Sequence, residues 1–252
     1  MKAIILAGGF GSRLDDITKV IPKPLVKIGK HPILLHVLKI YIHYGYTDFI
    51  IALGYKGDKI VEFFKKKNER TPTNKELIKG HTIFHKIKKK ICKITFVHTG
   101  YNSLTGGRLK RASKLVDEDE FFLTYGDGLA DINLKKLLKV HKKNKTLVTI
   151  TAVNPPARFG ELKINKNKVL KFSEKKPIKN SWINGGFFVM KKKFIKKIKD
   201  DKTILEREPL ENITKSGELS AYKHHGFWQC MDTKRDKDIL TEVLKKNKYF
   251  FK

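Results

Sequence analysis

Apolar residues fall along this chain in short bursts separated by polar, glycine-bearing stretches. The run Ala3 to Leu6 gives way at once to Gly8-Gly9-Phe10-Gly11, which predicts a buried strand feeding a tight loop. Over residues 32–44, Ile33, Val37, Ile40, Tyr41 and Tyr44 recur at helical spacing, with Gly45 as the stop. Residues 49–53 are continuously apolar, as in a strand covered on both faces. Residues 58–67 then place Ile60, Val61 and Phe64 on one side of a second helix. Strands at 94–97 and 120–124 and helices opening near Thr105 and Leu134 continue the alternation. This predicts βαβ units, and so an α/β fold with a Rossmann-like, mainly parallel sheet and helices on both faces.

The second half reads differently. A β-branched strand at 146–153 precedes a hairpin, 161–164 with 169–172, turning at 165–167. A strand at 183–190 and a final helix at 235–246 follow. The expectation is one domain over 1–252. Its first half, about 1–145, binds a nucleotide, and about 146–252 forms a sugar-binding β-rich subregion and the C-terminal helix. Residues 66–92 break the rhythm and read as an insertion, either a hairpin or an arm reaching a neighbouring subunit. His81 and His85 within it are four apart, but no third metal ligand lies nearby and cations surround them, so they read as surface residues.

Composition narrows the class. With 252 residues and 40% hydrophobic content the chain can bury a substantial core. The N-terminal apolar stretch is too short for a signal peptide. No run approaches the roughly 18 apolar residues of a membrane span. Cys92 and Cys230 lie far apart with no C-x-x-C, which indicates neither a disulfide framework nor a zinc site. The cytoplasm is therefore the expected location. The net charge of +30 is unusual. Its lysines are spread over nearly every segment and no nucleic-acid-binding motif accompanies them. They read as a solvated surface rather than a nucleic-acid or membrane interface, though the field would draw phosphates inward.

The candidate chemistry begins at Gly8. Glycine backbone N–H groups can approach a polyphosphate closely, and Arg13 and Lys23 add positive charge beside the loop. A Rossmann fingerprint is excluded by Leu14 where a third glycine is needed, and a Walker loop by Ser12-Arg13 after Gly11. Thr105-Gly106-Gly107-Arg108 opens a helix whose basic first turn opposes the helix dipole, a conflict that an anionic ligand would relieve. Asp127, between glycines at the carboxyl end of a strand, reads as a magnesium ligand. Asp131 and Asn133 read as initiators of the next helix. Glu174, Lys175, Asn184 and the glycines near them suit a sugar phosphate, and Asp232 is a second late carboxylate.

These stretches resemble the sugar-phosphate nucleotidyltransferases. The residues that carry the resemblance are the Leu6–Leu14 loop, Pro22-Lys23-Pro24, Leu53-Gly54-Tyr55-Lys56-Gly57, Thr105 through Arg111 and Tyr125-Gly126-Asp127-Gly128. Arg158-Phe159-Gly160, Ile183 through Val189 and Gly226 through Thr233 complete them. Thr-Gly-Gly-Arg-Leu-Lys-Arg, Ile-Asn-Gly-Gly-Phe-Phe-Val and Gly-Phe-Trp-Gln-x-Met-Asp-Thr point to the cytidylyl branch. The resemblance implies a Rossmann-like domain in a homo-oligomer that joins CTP and glucose 1-phosphate. It implies Mg²⁺ on Asp127 and Asp232, with Arg13, Lys23, Asp127 and Lys175 as catalytic groups. Leu6, Ala7, Gly8, Gly9, Phe10, Gly11, Ser12, Ser103, Thr105, Gly106 and Arg108 would hold the nucleotide. Gly160, Glu174, Lys175, Asn184 and Gly185 would hold the sugar phosphate. Two other readings stay open: the same chemistry with UTP, dTTP or another sugar phosphate, or a non-catalytic nucleotide- or nucleic-acid-binding protein on this fold. Cys230 stands where the family usually has Pro, Lys176 is an extra residue in the Glu-Lys-Pro motif, and the 66–92 segment is unusually lysine-rich.

Overall fold

The structure, a computed structural model, describes residues 1–155, 160–174 and 181–246, and only the backbone of Arg13, Asp15, Asp16 and Glu161. It opens with β1 (Ala3–Leu6), α1 (Asp15–Thr18), the two-residue strands β2 (Lys27–Ile28) and β3 (His31–Pro32), and α2 (Ile33–His43). Next come β4 (Asp48–Leu53), α3 (Gly57–Phe64), α4 (Asn74–Lys79), β5 (His81–Ile87), β6 (Lys90–His98) and α5 (Thr105–Ala112). The middle of the chain supplies β7 (Glu120–Tyr125), β8 (Gly128–Ala130), α6 (Leu134–Asn144), β9 (Val148–Val153), β10 (Glu161–Asn165) and β11 (Lys168–Ser173). It closes with β12 (Ile183–Lys191), α7 (Glu208–Lys215), β13 (Leu219–His224), β14 (Trp228–Cys230) and α8 (Lys234–Lys246).

Eight strands form one sheet in the order β13-β9-β12-β7-β1-β4-β6-β5. All run in one direction except β12 and β5, so the sheet is mostly parallel. Alternation along the strands sends Ile5, Phe49, Ile51 and Phe122 to one face, under α2, α3 and α6. Ile4, Ile50, Phe121 and Leu123 go to the other, under α5 and α7. Both faces are covered, as the continuous apolar runs require. The chain moves from β1 outward through β4 to β6, then returns to β7 on the far side of β1. That reversal leaves a crevice at the carboxyl ends of β1 and β7, where open α/β sheets bind ligands.

Several expectations change. Residues 66–92 take the hairpin alternative instead of the arm, and the hairpin extends the main sheet. Thr73 and Glu76 form a reciprocal capping box that starts α4, and β5 then pairs with β6 as the sheet's edge. The cluster Lys86 to Lys90 sits at the end of β5, in the turn and at the start of β6. The two histidines lie on β5, not on a helix. Asn133 alone caps α6, its side chain accepting from the Lys136 N–H, while Asp131 pairs with His224 at 2.9 Å. In the second half β9, β12 and β13 complete the main sheet. The β10–β11 hairpin stands apart from that sheet, with Leu162, Ile164, Val169 and Phe172 exposed, and β14 pairs instead with β8.

Candidate active site

A cleft of about 410 Å³ opens at the crevice between β1 and β7. Its wall is the end of β1 and the segment after it: Leu6, Ala7, Gly8, Gly9, Phe10, Gly11 and Ser12 all line it. Main-chain bonds tie this loop to both neighbouring strands. Ala7 donates to Ala52 O at 3.0 Å, Tyr55 to Gly8 O at 3.1 Å and Gly126 to Leu6 O at 3.0 Å. Ser103, Thr105 and Arg108 close the opposite side, with Asn102, Leu104 and Tyr125 beside them.

Arg108 is buried under the loop while still lining the cleft. Its guanidinium donates to Leu53 O (3.2 Å), Thr99 Oγ1 (3.1 Å), Gly100 O (2.7 Å) and Tyr101 O (3.0 Å). Burial, and then Arg111, lower its pKa from the usual arginine value, but an arginine stays charged. The group fits because Gly8 and Gly54 have no Cβ. A Cβ on Gly8 would stand 2.4 Å from Arg108 Nη1, and one on Gly54 would stand 2.2 Å from it. The sequence assigned Gly8 to phosphate contact. The structure gives it a second duty, close passage over a buried cation.

The structure ends α5 at Ala112, so of the basic residues only Arg108 falls in its first turn, while Lys110 and Arg111 lie in its last turn, where positive charge suits the dipole. Leu104 N–H donates to Asp201 O (2.8 Å) and Gly106 N–H to Thr203 O (3.0 Å), so Gly106 spends its amide on the 201–203 segment. Lys110 donates to Ile198 O and Lys199 O, both at 2.8 Å, and Arg111 holds the Asp201 carboxylate. The expected charge conflict at this helix start is thus confined to Arg108, which is held by carbonyl and hydroxyl oxygens of the protein.

At the rim, Lys23 Nζ lies 2.5 Å from Asp127 Oδ2 and 2.7 Å from Asp232 Oδ1. Lys23–Leu25 form a single 3₁₀ turn after the extended Pro22, with Pro24 buried, and this presents the lysine. Burial acts to lower the Lys23 pKa, but the two carboxylates outweigh it and hold the value above that of an ordinary lysine. Asp127 follows β7, and Asp232 follows β14, which pairs antiparallel with β8. Met231 N–H donates to Asp127 O at 2.9 Å and fixes the two turns together. Asp236 secures Asp232 from behind. Its Oδ2 accepts from Asp232 N (3.1 Å) and Thr233 N (2.8 Å), and Thr233 Oγ1 accepts from Asp236 N at 3.2 Å. Sequence reasoning passed over Asp236, although Thr233-x-x-Asp236 before an apolar run is the capping pattern that marks it. Among the described residues no group of three or more His, Cys, Asp or Glu could hold a metal. Two carboxylates bracketing one cation suit a small divalent ion whose other ligands are phosphates and water.

The other proposed residues lie apart from this cleft or outside the described residues. Asn184 and Gly185 sit where β12 breaks register with β9, between the pairs Asn184–Ala152 and Phe188–Ile150. This bulge lies beside Tyr125: a Cβ on Gly186, whose φ is +77°, would meet the Tyr125 ring at 2.7 Å. Gly160 packs against Phe172 and Glu174 at the base of the hairpin. Lys175, Lys176, Arg158 and Phe159 lie outside the described residues, as does the Arg13 side chain. Cys230 contacts Asp232 Oδ2 at 3.7 Å, and burial followed by that carboxylate pushes its thiol up to about 12.

Comparison with known proteins bears on the same features. A family model for nucleotidyl transferases matches residues 2–233. The chain is 45% identical over 250 residues to a glucose-1-phosphate cytidylyltransferase of Salmonella typhimurium, covering 98% of this chain and 97% of that one. It is 42% identical to a probable glucose-1-phosphate cytidylyltransferase of Bacillus subtilis, covering 97% and 95%. Among solved structures, HddC from Yersinia pseudotuberculosis is 26% identical with a TM-score of 0.72, covering 96% of this chain and 99% of that one.

Proposed function

The chain belongs to the nucleotidyl transferase family, and from that membership we propose that it transfers a cytidylyl group from CTP to α-D-glucose 1-phosphate, giving CDP-glucose and pyrophosphate. One observation carries the reading at the level of chemistry. Asp127 and Asp232 meet around a single cation at the rim of a glycine-walled cleft at the sheet's switch point. Identity of 42–45% to the cytidylyltransferases supplies the substrates.

An oxygen of the sugar phosphate attacks the α-phosphorus of CTP. The bond to the bridging oxygen breaks on the opposite side, and pyrophosphate leaves with its electron pair. The nucleophile is already an anion, so no general base is required. The work left to the protein is positioning and charge neutralisation. Backbone N–H groups of Gly8–Ser12 cradle the phosphates, and Ser103, Thr105 and Arg108 hold the nucleoside side. Lys23 and Arg13 steady the triphosphate and the departing pyrophosphate. Lys175 grips the sugar phosphate, while Gly160, Glu174, Asn184 and Gly185 meet the hexose. The family generally uses a divalent metal, and we assign Mg²⁺ to Asp127 and Asp232. When bound there it supplies positive charge against the α-phosphate and the leaving oxygens.

A cytoplasmic homo-oligomer is part of the same reading. Cys92 and Cys230 are both free thiols, as a reducing compartment keeps them. No helix of the described residues is long and apolar enough to cross a membrane. Pyrophosphate release measured over four nucleoside triphosphates and several sugar 1-phosphates tests the assignment. CTP with glucose 1-phosphate is expected to give the highest kcat/KM. A higher value for UTP or dTTP would move the base assignment, and no release with any pair would remove the enzymatic reading.

A further inference from the structure

The peptide between Gly185 and Gly186 lies inside the β12 bulge, where the ladder to β9 is interrupted between Asn184 and Phe188. Neither flanking residue has a Cβ to oppose a reversal of that peptide plane, and Gly186 already stands at φ +77°. Both ends of the peptide are nevertheless held. Trp228 Nε1–H donates to Gly185 O at 2.7 Å, and the Gly186 N–H donates to Asn184 Oδ1 at 2.8 Å.

The consequence falls on Asn184, whose side chain is exposed on the bulge. An amide has an accepting lobe and a donating lobe, and the Gly186 N–H selects the accepting one. That selection lasts only while the 185–186 peptide keeps its plane. Reversed, the peptide would set Gly185 O toward the amide, which would then turn its NH₂ group inward. The indole N–H holds the oxygen end and opposes this reversal. Gly185 is buried, so its carbonyl depends on a protein donor once the β9 ladder is broken.

The same indole ties the bulge to the carboxylates. Trp228 pairs with Ala130 at one end of the β8–β14 ribbon, and Cys230 pairs with Gly128 at the other. Asp127 precedes Gly128 and Asp232 follows Cys230 by two residues, so both carboxylates leave the ribbon at the end opposite Trp228. One rigid two-stranded unit thus carries the Asp127–Asp232 pair and hooks onto the β12 bulge.

We propose that Trp228 is a positioning residue for sugar-phosphate recognition, locking the Gly185–Gly186 peptide and through it the Asn184 amide in fixed relation to Asp127 and Asp232. The inference rests on the assignment of Asn184 to the sugar phosphate.

The test is steady-state kinetics for both substrates, with thermal melts, in the parent and in an Asn184→Ala background. Trp228→Phe keeps an aromatic ring and removes the N–H. It should raise KM for glucose 1-phosphate about tenfold, the scale of one hydrogen bond, and leave KM for CTP within about twofold of the parent. If that variant fails to fold, benzothienylalanine in place of Trp228, in a Trp182→Phe chain, keeps the indole's shape with sulfur instead of N–H and should give the same pattern. In the Asn184→Ala background Trp228→Phe should change KM for glucose 1-phosphate by less than about twofold. Equal shifts in both backgrounds, a parental KM in the folded variant, or equal rises in KM for both substrates would overturn the inference while the Asn184 assignment stood. A parental KM for Asn184→Ala itself would remove that assignment, and the inference with it.

Discussion

Asp127 and Asp232 are separated by more than a hundred positions, yet their carboxylates share one ammonium, with Lys23 Nζ 2.5 Å from the first and 2.7 Å from the second. A cation between two carboxylates offsets their mutual repulsion, and here Lys23 supplies it. On the proposed reading a metal ion would take that place and Lys23 would turn to the phosphates.

If these carboxylates hold the metal, Asp127→Asn and Asp232→Asn should each lower kcat by orders of magnitude while leaving the fold intact. Turnover with Mg²⁺, read beside a circular-dichroism melt, checks this. Near-parental rates in both variants would show that the metal binds elsewhere.

Lys23 should compete with the metal for the carboxylates. Removing it in Lys23→Met is expected to tighten Mn²⁺ binding in the absence of nucleotide about tenfold, the coupling of one close charge pair. The same change should weaken CTP binding, because the phosphates lose a cation. Titration followed by the Mn²⁺ resonance signal measures the first effect directly. Unchanged or weaker binding would mean that the lysine and the metal do not compete.

Gly8 should tolerate no side chain. In Gly8→Ala the new Cβ would meet Arg108 Nη1 at 2.4 Å and the Gly54 nitrogen at 2.8 Å, so either the loop or the guanidinium must move. The expected cost is about 1–3 kcal/mol of stability, as for overpacking at a tight site. KM for CTP should also rise, since the phosphate loop itself is displaced. Gly9 is a control, because a Cβ there meets nothing within 4 Å. Comparable defects in Gly8→Ala and Gly9→Ala would argue against the steric explanation.

The pH dependence of stability should carry a contribution from His36. Burial lowers its pKa from the usual 6.5 to about 4, with Nε2 3.0 Å from Ile28 O. The neutral ring is the folded form, so the unfolded chain binds the extra proton between these two values. Stability is fully present above about 6.5 and is lost as pH falls through about 4, by on the order of 3 kcal/mol. Melting temperatures across that window should fall less steeply in His36→Asn than in the parent.

The features legible in the chain alone are local in origin. Hydrophobic periodicity located β1, α2, β4, β7 and α8, because a buried run or an amphipathic stripe reports its own environment. The glycine loop, Lys23 and Asp127 were legible for a related reason: glycines, prolines and charges at strand ends have few other uses. The edge strand β5 was obscured because it is short of buried apolar residues, with two histidines and exposed Phe84 among its seven positions, and a lysine-rich turn follows it. Only the tertiary structure could decide which distant groups meet. The switch in strand order sets β1 beside β7. Pairing of β8 with β14 brings Asp232 to Asp127, and the 201–206 segment braces α5 and delivers Glu206 to Tyr125. Glu206 sits in a polar stretch with no pattern around it. Its partners, Thr105 and Tyr125, are about 100 and 81 positions away. Such contacts follow from the sheet's connectivity, which no local stretch of residues encodes.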